Sequence, residues 1–521
     1  MVGMDKSPLI LTIDFGTQSV RVSLIDKKGD CLDFEKETYE PAYYSPKPGF
    51  AEMDPSIYFD YLCKATHRLV EKCAEEMSRV KGIVLDCFRD SAVMLDKDRN
   101  VVRPAVLWLD SRMAKCEKKL PLIRRVIFKI VGMDYVVKMN RRRTVMNWMI
   151  ENEPESVAKC DKYVSVSTYF IYRLTGQLQD SAGSYTGHYP MDYKKGKWDK
   201  NPATHLTGSV FSIRKDQLCR IVEPNESLGK ITKEASELTG LPEGMEILLS
   251  GSDKSCETLG DGVIDSTMAS ISLGTACSVE TTTKKYISPI PFLPCYRSVV
   301  EGDFNMDIQV YRGFWMMNWF LKEFAAEKVD DFFKDPEPQD YDSMLESIPP
   351  GSGGLLLQPY WGSLLDRPQV RGAIIGFNDS TTRAHIYRSL LEGIGFELYA
   401  SLNGIRKRLG KLDKIQSLRV SGGGAKSDEI CQMFADIFGL PVTRVQSVET
   451  SSLGASIAGF LRLGEFASTE EAVKAMVHPQ KTFEPNMENH AIYEDLFKNG
   501  YSKLYPQLKG VYAYLYNWSQ K

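Results

Sequence analysis

Ile13-Asp14-Phe15-Gly16-Thr17-Gln18-Ser19 follows the apolar run Leu9-Ile10-Leu11-Thr12 and precedes Val20-Arg21-Val22-Ser23-Leu24-Ile25. Apolar, β-branched runs on both sides of Asp-x-Gly-Thr read as a buried strand that turns tightly into a second strand. The glycine lets backbone approach a ligand closely. The threonine and the amides after it are placed to donate to phosphate oxygens, and the aspartate can hold a hydrated divalent cation. Asp-x-Gly is also ordinary turn chemistry, so this stretch alone leaves a plain hairpin open.

The same logic returns later in the chain. Met268-Ala269-Ser270-Ile271-Ser272-Leu273 ends in Gly274-Thr275, and Ser278-Val279-Glu280-Thr281-Thr282 continues as a strand. Helical spacing marks Pro55 to Arg79 behind an Asp54-Pro55 start, and Lys162 to Leu174 before Gly176. A third motif, Leu418-Arg419-Val420-Ser421-Gly422-Gly423-Gly424-Ala425-Lys426-Ser427-Asp428, reads as strand, glycine turn and helix start. Its helix is expected over Glu429 to Phe438, with Gly439 and Pro441 beyond. Three successive glycines let backbone lie flat against a planar or phosphorylated ligand and the helix N-terminus adds partial positive charge, while the spacing is not the Gly-x-Gly-x-x-Gly of dinucleotide folds. Two halves, 8–262 and 266–521, each opening with strand-Gly-Thr-strand, predict two related α/β domains facing a shared cleft, where ligands commonly bind.

Composition narrows the function classes. The chain has 521 residues, 43% hydrophobic and 26% charged, and a net charge of −3 from 65 basic and 68 acidic residues. That is room for large buried cores, with no electrostatic excess pointing to nucleic acid or an acidic membrane. Met1 to Ser7 lacks the arrangement of a signal peptide, and no uninterrupted apolar stretch is long enough to cross a bilayer. The 11 cysteines form no Cys-x-x-Cys pair, so free thiols in a reducing cytoplasm are expected, not a disulfide framework or a zinc site.

With the three motifs in this order, the chain resembles the FGGY family of carbohydrate kinases over nearly its whole length. Further segments carry the resemblance: Val106-Leu107-Trp108-Leu109-Asp110-Ser111-Arg112, Asp180 to Gly187 continued by Trp198-Asp199, Gly251-Ser252-Asp253, Gly372-Ala373-Ile374-Ile375-Gly376, His385 and Leu391-Glu392-Gly393. The resemblance implies two ribonuclease H-like domains of the actin/Hsp70/sugar kinase superfamily around a central cleft. It implies transfer of the γ-phosphoryl group of ATP to a hydroxyl of a small sugar or polyol, with Mg²⁺. A ketopentose such as xylulose and a glycerol-like polyol are the leading acceptors, with a gluconate-like sugar acid or a catalytically weak sugar sensor as alternatives. A chaperone-like ATPase of the same superfamily is disfavoured, because no peptide-binding β-domain follows Ala425.

The resemblance also implies roles. Asp253 would be the general base, since a carboxylate must reach the acceptor hydroxyl; otherwise it merely caps a helix. Asp14 and Asp253 would hold the metal. Gly16, Thr17, Gln18, Arg21, Gly274, Thr275 and Asn318 would serve the ATP phosphates, and Gly423, Gly424 and Ala425 its adenosine. Arg89, Asp90, Trp108, Asp110 and Asp253 would face the acceptor. Arg89-Asp90 resembles the Arg-Glu pair of glycerol kinases, whereas the Gln-Met-His of xylulokinases is missing. Trp108 either packs on sugar or fills the core, and Asp110 is more often a support than a ligand. Gly362 to Pro368 departs from the family's Gly-Glu-Arg-x-Pro. The basic stretch Lys138 to Arg143 meets an acidic sugar or phosphate, or is a solvated run. Relatives are often dimers, which makes a homodimer an expectation.

Overall fold

The computed structural model describes residues 7–519 except 118, 131, 200–207, 224–225, 291–293, 326–337, 362–366, 368 and 448. Most of the Gly362 to Pro368 departure therefore lies outside the described residues.

Apolar, β-branched runs form the strands. The first half holds β1 (Leu9–Phe15), β2 (Ser19–Asp26), β3 (Cys31–Thr38), β4 (Val80–Cys87) and β5 (Ile247–Ser252). The second holds β6 (Met268–Leu273), β7 (Cys277–Thr283), β8 (Tyr296–Arg297), β9 (Phe304–Val310), β10 (Ser417–Ser421), β11 (Val442–Val445) and β12 (Pro479–Phe483). The first sheet runs β5-β4-β1-β2-β3 and the second β8-β9-β7-β6-β10-β11-β12. In each, a three-strand antiparallel meander leads, through its first strand, into two parallel strands. The halves thus share one topology, as the repeated motif predicts, and each parallel strand ends toward the cleft.

The helices needed below are α1 (Pro55–Lys72), α2 (Leu122–Ile130), α3 (Asp134–Arg143), α4 (Val166–Thr175), α5 (Asp253–Gly260), α6 (Trp315–Phe320), α7 (Arg383–Leu409), α8 (Asp428–Phe438), α9 (Thr450–Arg462) and α10 (Ser502–Trp518). Helix α8 ends at Gly439 in the left-handed conformation, close to the expected bounds. The pattern read as one helix from Pro55 stops at Lys72 and resumes as a 3₁₀ turn over Glu76–Arg79. Lys162–Ser165 is a strand rather than the first turn of a helix, paired with Ala92–Leu95; Ser165 then caps α4.

Helices α1 and α4 cover one face of the first sheet, with Phe15 and Phe170 stacked at 3.7 Å. Its other face is covered by α9, from the second half: Leu453, Ile457 and Phe460 join Ile10, Val84 and Leu259 in one core. Where α5 and α9 cross, a Cβ on Gly260 would overlap the Thr450 carbonyl, and one on Gly454 the Cys256 carbonyl. All eleven cysteines are free, and Cys87, Cys256, Cys277 and Cys431 are buried as expected.

Candidate active site

Strand β5 carries Gly251-Ser252 into α5. Ser252, not Asp253, is the cap: its side chain accepts from the Ser255 amide. Asp253 is the first helical residue, and its side chain stays 28% exposed, with Oδ1 accepting the Lys254 amide at 2.8 Å. Burial pushes its carboxyl up, while the charges of Arg89 and Lys254 oppose. Asp180 braces this strand from beneath: it is buried, and its two oxygens accept from Ser250 Oγ at 2.6 Å and Ser167 Oγ at 2.6 Å.

The two adjoining strand ends bring further carboxylates. Asp14 on β1 lies opposite Asp86 on β4, which in turn lies opposite Gly251 on β5. Asp86 is fully buried, and neither of its oxygens meets a donor, so it bonds Asp14 only through a shared proton. Burial, then the charge of Asp14, push Asp86 far above the carboxylate range. Burial pushes Asp14 up to about 6 against the opposing hydrogen bond with Asp86 and charge of Arg21. Arg21, opposite Asp14 in the hairpin register, is itself paired with Glu449 at 2.5 Å. Acid in excess of cation, with orphaned buried oxygens, is a donor set that suits a hard divalent ion. Among the described residues no three ligating side chains converge closely enough to hold one unaided.

The first phosphate loop is closed by the Gly16 amide on Ser19 O at 2.9 Å, leaving Gln18 exposed. Trp108 is half-buried, and its indole N–H donates to Thr17 Oγ1 at 2.9 Å, which fixes the edge of the ring. Asp110 is spent on the protein, accepting from the Ala51 amide, the Arg112 amide and two Arg112 side-chain nitrogens at 2.7–2.8 Å. Those four bonds fill a carboxylate's acceptor sites, so Asp110 supports the loop and is not a ligand.

Across the cleft, Gly274 and Thr275 are held by the start of α6, whose Phe314 and Trp315 amides donate to their carbonyls at 3.1 and 3.3 Å. Thr275 and Asn318 are exposed. The glycine motif adjoins them, since a Cβ on Gly422 would lie 2.9 Å from the Leu273 carbonyl. Of its residues Gly423 is exposed, whereas Gly424 and Ala425 are buried. A side chain on Gly424 would strike the Phe314 ring, so packing demands that glycine, rather than close approach of a ligand. Glu392, in the C-terminal signature, is also structural: it is buried and bonds the Gly351 amide, Ser352 and Arg388.

Arg89 and Asp90 diverge. Arg89 Nη2 reaches Asp307 of β9 at 2.7 Å, and its Nε lies 3.9 Å from Asp253. Burial opposes its charge, but Asp307, Asp253 and Glu280 outweigh burial and hold the guanidinium firmly protonated. Asp90 adopts a positive φ of 54° and faces His188, whose Nδ1 lies 2.9 Å from Oδ2 and whose amide donates to Oδ1 at 3.1 Å. Burial raises the Tyr311 hydroxyl, with the charges of Asp90 and Asp307 adding to it and those of Arg143 and Arg89 opposing.

Beneath the cleft α5 meets the second sheet through side chains. Lys254 Nζ donates to Ser272 Oγ at 2.6 Å and Thr258 to Glu280 at 2.9 Å, while Ser421 Oγ sits between Glu257 at 2.8 Å and Asp261 at 2.9 Å. The sequence reading assigns no role to Asp86, His188, Lys254, Glu280 or Asp307. Only Asp86 leaves a signal, a lone acid ending an apolar run.

The family model for the N-terminal domain of FGGY carbohydrate kinases matches residues 9–260, and that for the C-terminal domain matches 269–463. An uncharacterised sugar kinase of Escherichia coli is 28% identical over 500 residues, 95% of this chain and 93% of that one. A xylulose kinase of Staphylococcus epidermidis is 27% identical over 514 residues, 97% and 98% of the two chains. The ligand-bound xylulose kinase structure from Lactobacillus acidophilus superposes with a TM-score of 0.81 at 23% identity, covering 98% of this chain and all of that one, which shows the same fold. Matched through both domains, and carrying the motifs on two facing sheets, this chain belongs to the FGGY family of carbohydrate kinases.

Proposed function

We propose that this kinase transfers the γ-phosphoryl group of ATP to a hydroxyl of a ketopentose such as xylulose or of a glycerol-like polyol. The observation that carries this is Asp253: a carboxylate relieved of capping, part-exposed at the cleft and 3.9 Å from Arg89, between two Gly-Thr loops. The acceptor oxygen attacks the γ-phosphorus, its proton passes to Asp253, and the bond to the bridging oxygen breaks to release ADP. Gly16, Thr17 and Gly274, Thr275 cradle the phosphates from opposite sides, with Gln18 and Asn318 beside them. Gly423 faces the adenosine, and Gly424 and Ala425 shape that wall. Asp14 and Asp253 would hold Mg²⁺ through water, and the ion would neutralise phosphate charge. Arg89 and the Asp90–His188 pair orient the acceptor.

The cationic end of α3, Arg141 to Arg143, favours a second reading, a sugar acid such as gluconate. Eleven free cysteines accord with a cytoplasmic setting. The homodimer is a matter for sedimentation. An ADP-release assay with D-xylulose, glycerol and D-gluconate tests the function: acceptor-dependent ADP from one of them supports it, and ADP release that no member stimulates overturns it.

A further inference from the structure

The net charge of −3 averages over a strong segregation. Residues 115–143 hold ten Lys or Arg and only two acidic residues. Within them lies α2, which turns Phe128 inward to pack with Val137 and Val210. The rest of its apolar surface is bare: Leu122, Ile123, Val126, Ile127 and Ile130 are 40–79% exposed. At about 100° per residue these five side chains fall in one continuous arc of roughly 140°. Arg125 and Lys129, both exposed, line one edge of that arc, and Lys119 and Lys138 are exposed nearby.

Single exposed apolar residues need no explanation, but five on one helix face do. A second copy of the chain is a poor cover. In a two-fold contact the same patch forms both sides, so the cationic edge would meet itself. An anionic lipid surface satisfies both halves of the pattern, apolar side chains for the acyl boundary and cations for the phosphate headgroups. Among the described residues no helix is long and apolar enough to cross a membrane, so the attachment is to one face only.

We propose that α2 docks this protein on an anionic bilayer surface, lying in its plane. The nine-residue helix offers few insertions, which makes the binding reversible and sensitive to salt.

Vesicle co-sedimentation of the full chain tests this, with phosphatidylcholine alone and with a phosphatidylglycerol–phosphatidylcholine mixture, at low and high salt. The expected result is pelleting with the anionic vesicles at low salt only. The double variant Arg125→Gln/Lys129→Gln should weaken that affinity roughly 30-fold, the equivalent of about 1 kcal/mol per cation. Ile123→Ser/Ile130→Ser should weaken it at least ~10-fold. Both variants sit on exposed positions, so thermal melts and ADP release should match the parent. Absence of pelleting with either vesicle overturns the proposal, as does pelleting that neither variant changes. A dimer dissolved by Ile123→Ser/Ile130→Ser, without vesicle binding, reassigns the face to a protein interface.

Discussion

Asp253→Asn removes the proton acceptor and keeps the shape. Turnover should fall about 10²–10⁴-fold while calorimetric ATP affinity is retained; turnover near the parent rate would take the base away from Asp253. Asp90 and His188 call for a different readout. His188→Asn should raise the acceptor KM several-fold and leave the ATP KM alone, because a lost positioning contact appears chiefly in KM. Equal rises in both would make the pair a structural brace. Asp14, Thr17 and Asp253 can be proposed from sequence because each lies within a short contiguous motif. His188 and Asp307 acquire meaning only from partners 98 and 218 residues away. Trp108 and Asp110 have the residue types of ligands, yet Thr17 and Arg112 claim their polar atoms.

Helix α5 is the element on which most of the site hangs, and its far end titrates. Burial, then the charge of Glu257, push Asp261 up to about 7, against hydrogen bonds from Ser270 and Ser421. A carboxyl whose folded pKa is raised contributes stability fully below its unfolded value near 4, and that contribution is lost as pH rises through about 7. Asp261→Asn should therefore gain stability relative to the parent between pH 5 and pH 8, as melts at the two pH values would register; a constant difference would mean that Asp261 carries no such penalty. Gly454→Ala, where α9 meets α5, should cost about 1–3 kcal/mol by overpacking, and an unchanged melting temperature would show that the crossing yields. Element boundaries read well where a glycine stops them, as at Gly439. They read poorly at Lys162–Ser165, where strand-favouring Tyr163 and Val164 run without a break into the helical spacing of α4 and the pairing with Ala92–Leu95 decides.

The duplicated architecture is legible because each half repeats strand-Gly-Thr-strand. The return of α9 to the first sheet is not, since nothing local in its sequence names the surface that it covers. Ion pairs such as Arg89–Asp307 already tie the halves together. Nucleotide and acceptor together should draw them closer, lowering the radius of gyration in small-angle scattering with a non-hydrolysable ATP analogue; an unchanged profile at saturation in active protein would mean a preformed cleft. The contact of Gly260 and Gly454 fixes the character of that motion. Backbone meets backbone there, so if the halves rock on closure this crossing is the natural fulcrum. Displacement then grows with the lever arm. Asp253, seven residues along α5 and about 10 Å from Gly260, travels little, while the outer rims of the cleft sweep widest. The entrance can open for the acceptor while the base and its neighbouring charges stay almost still.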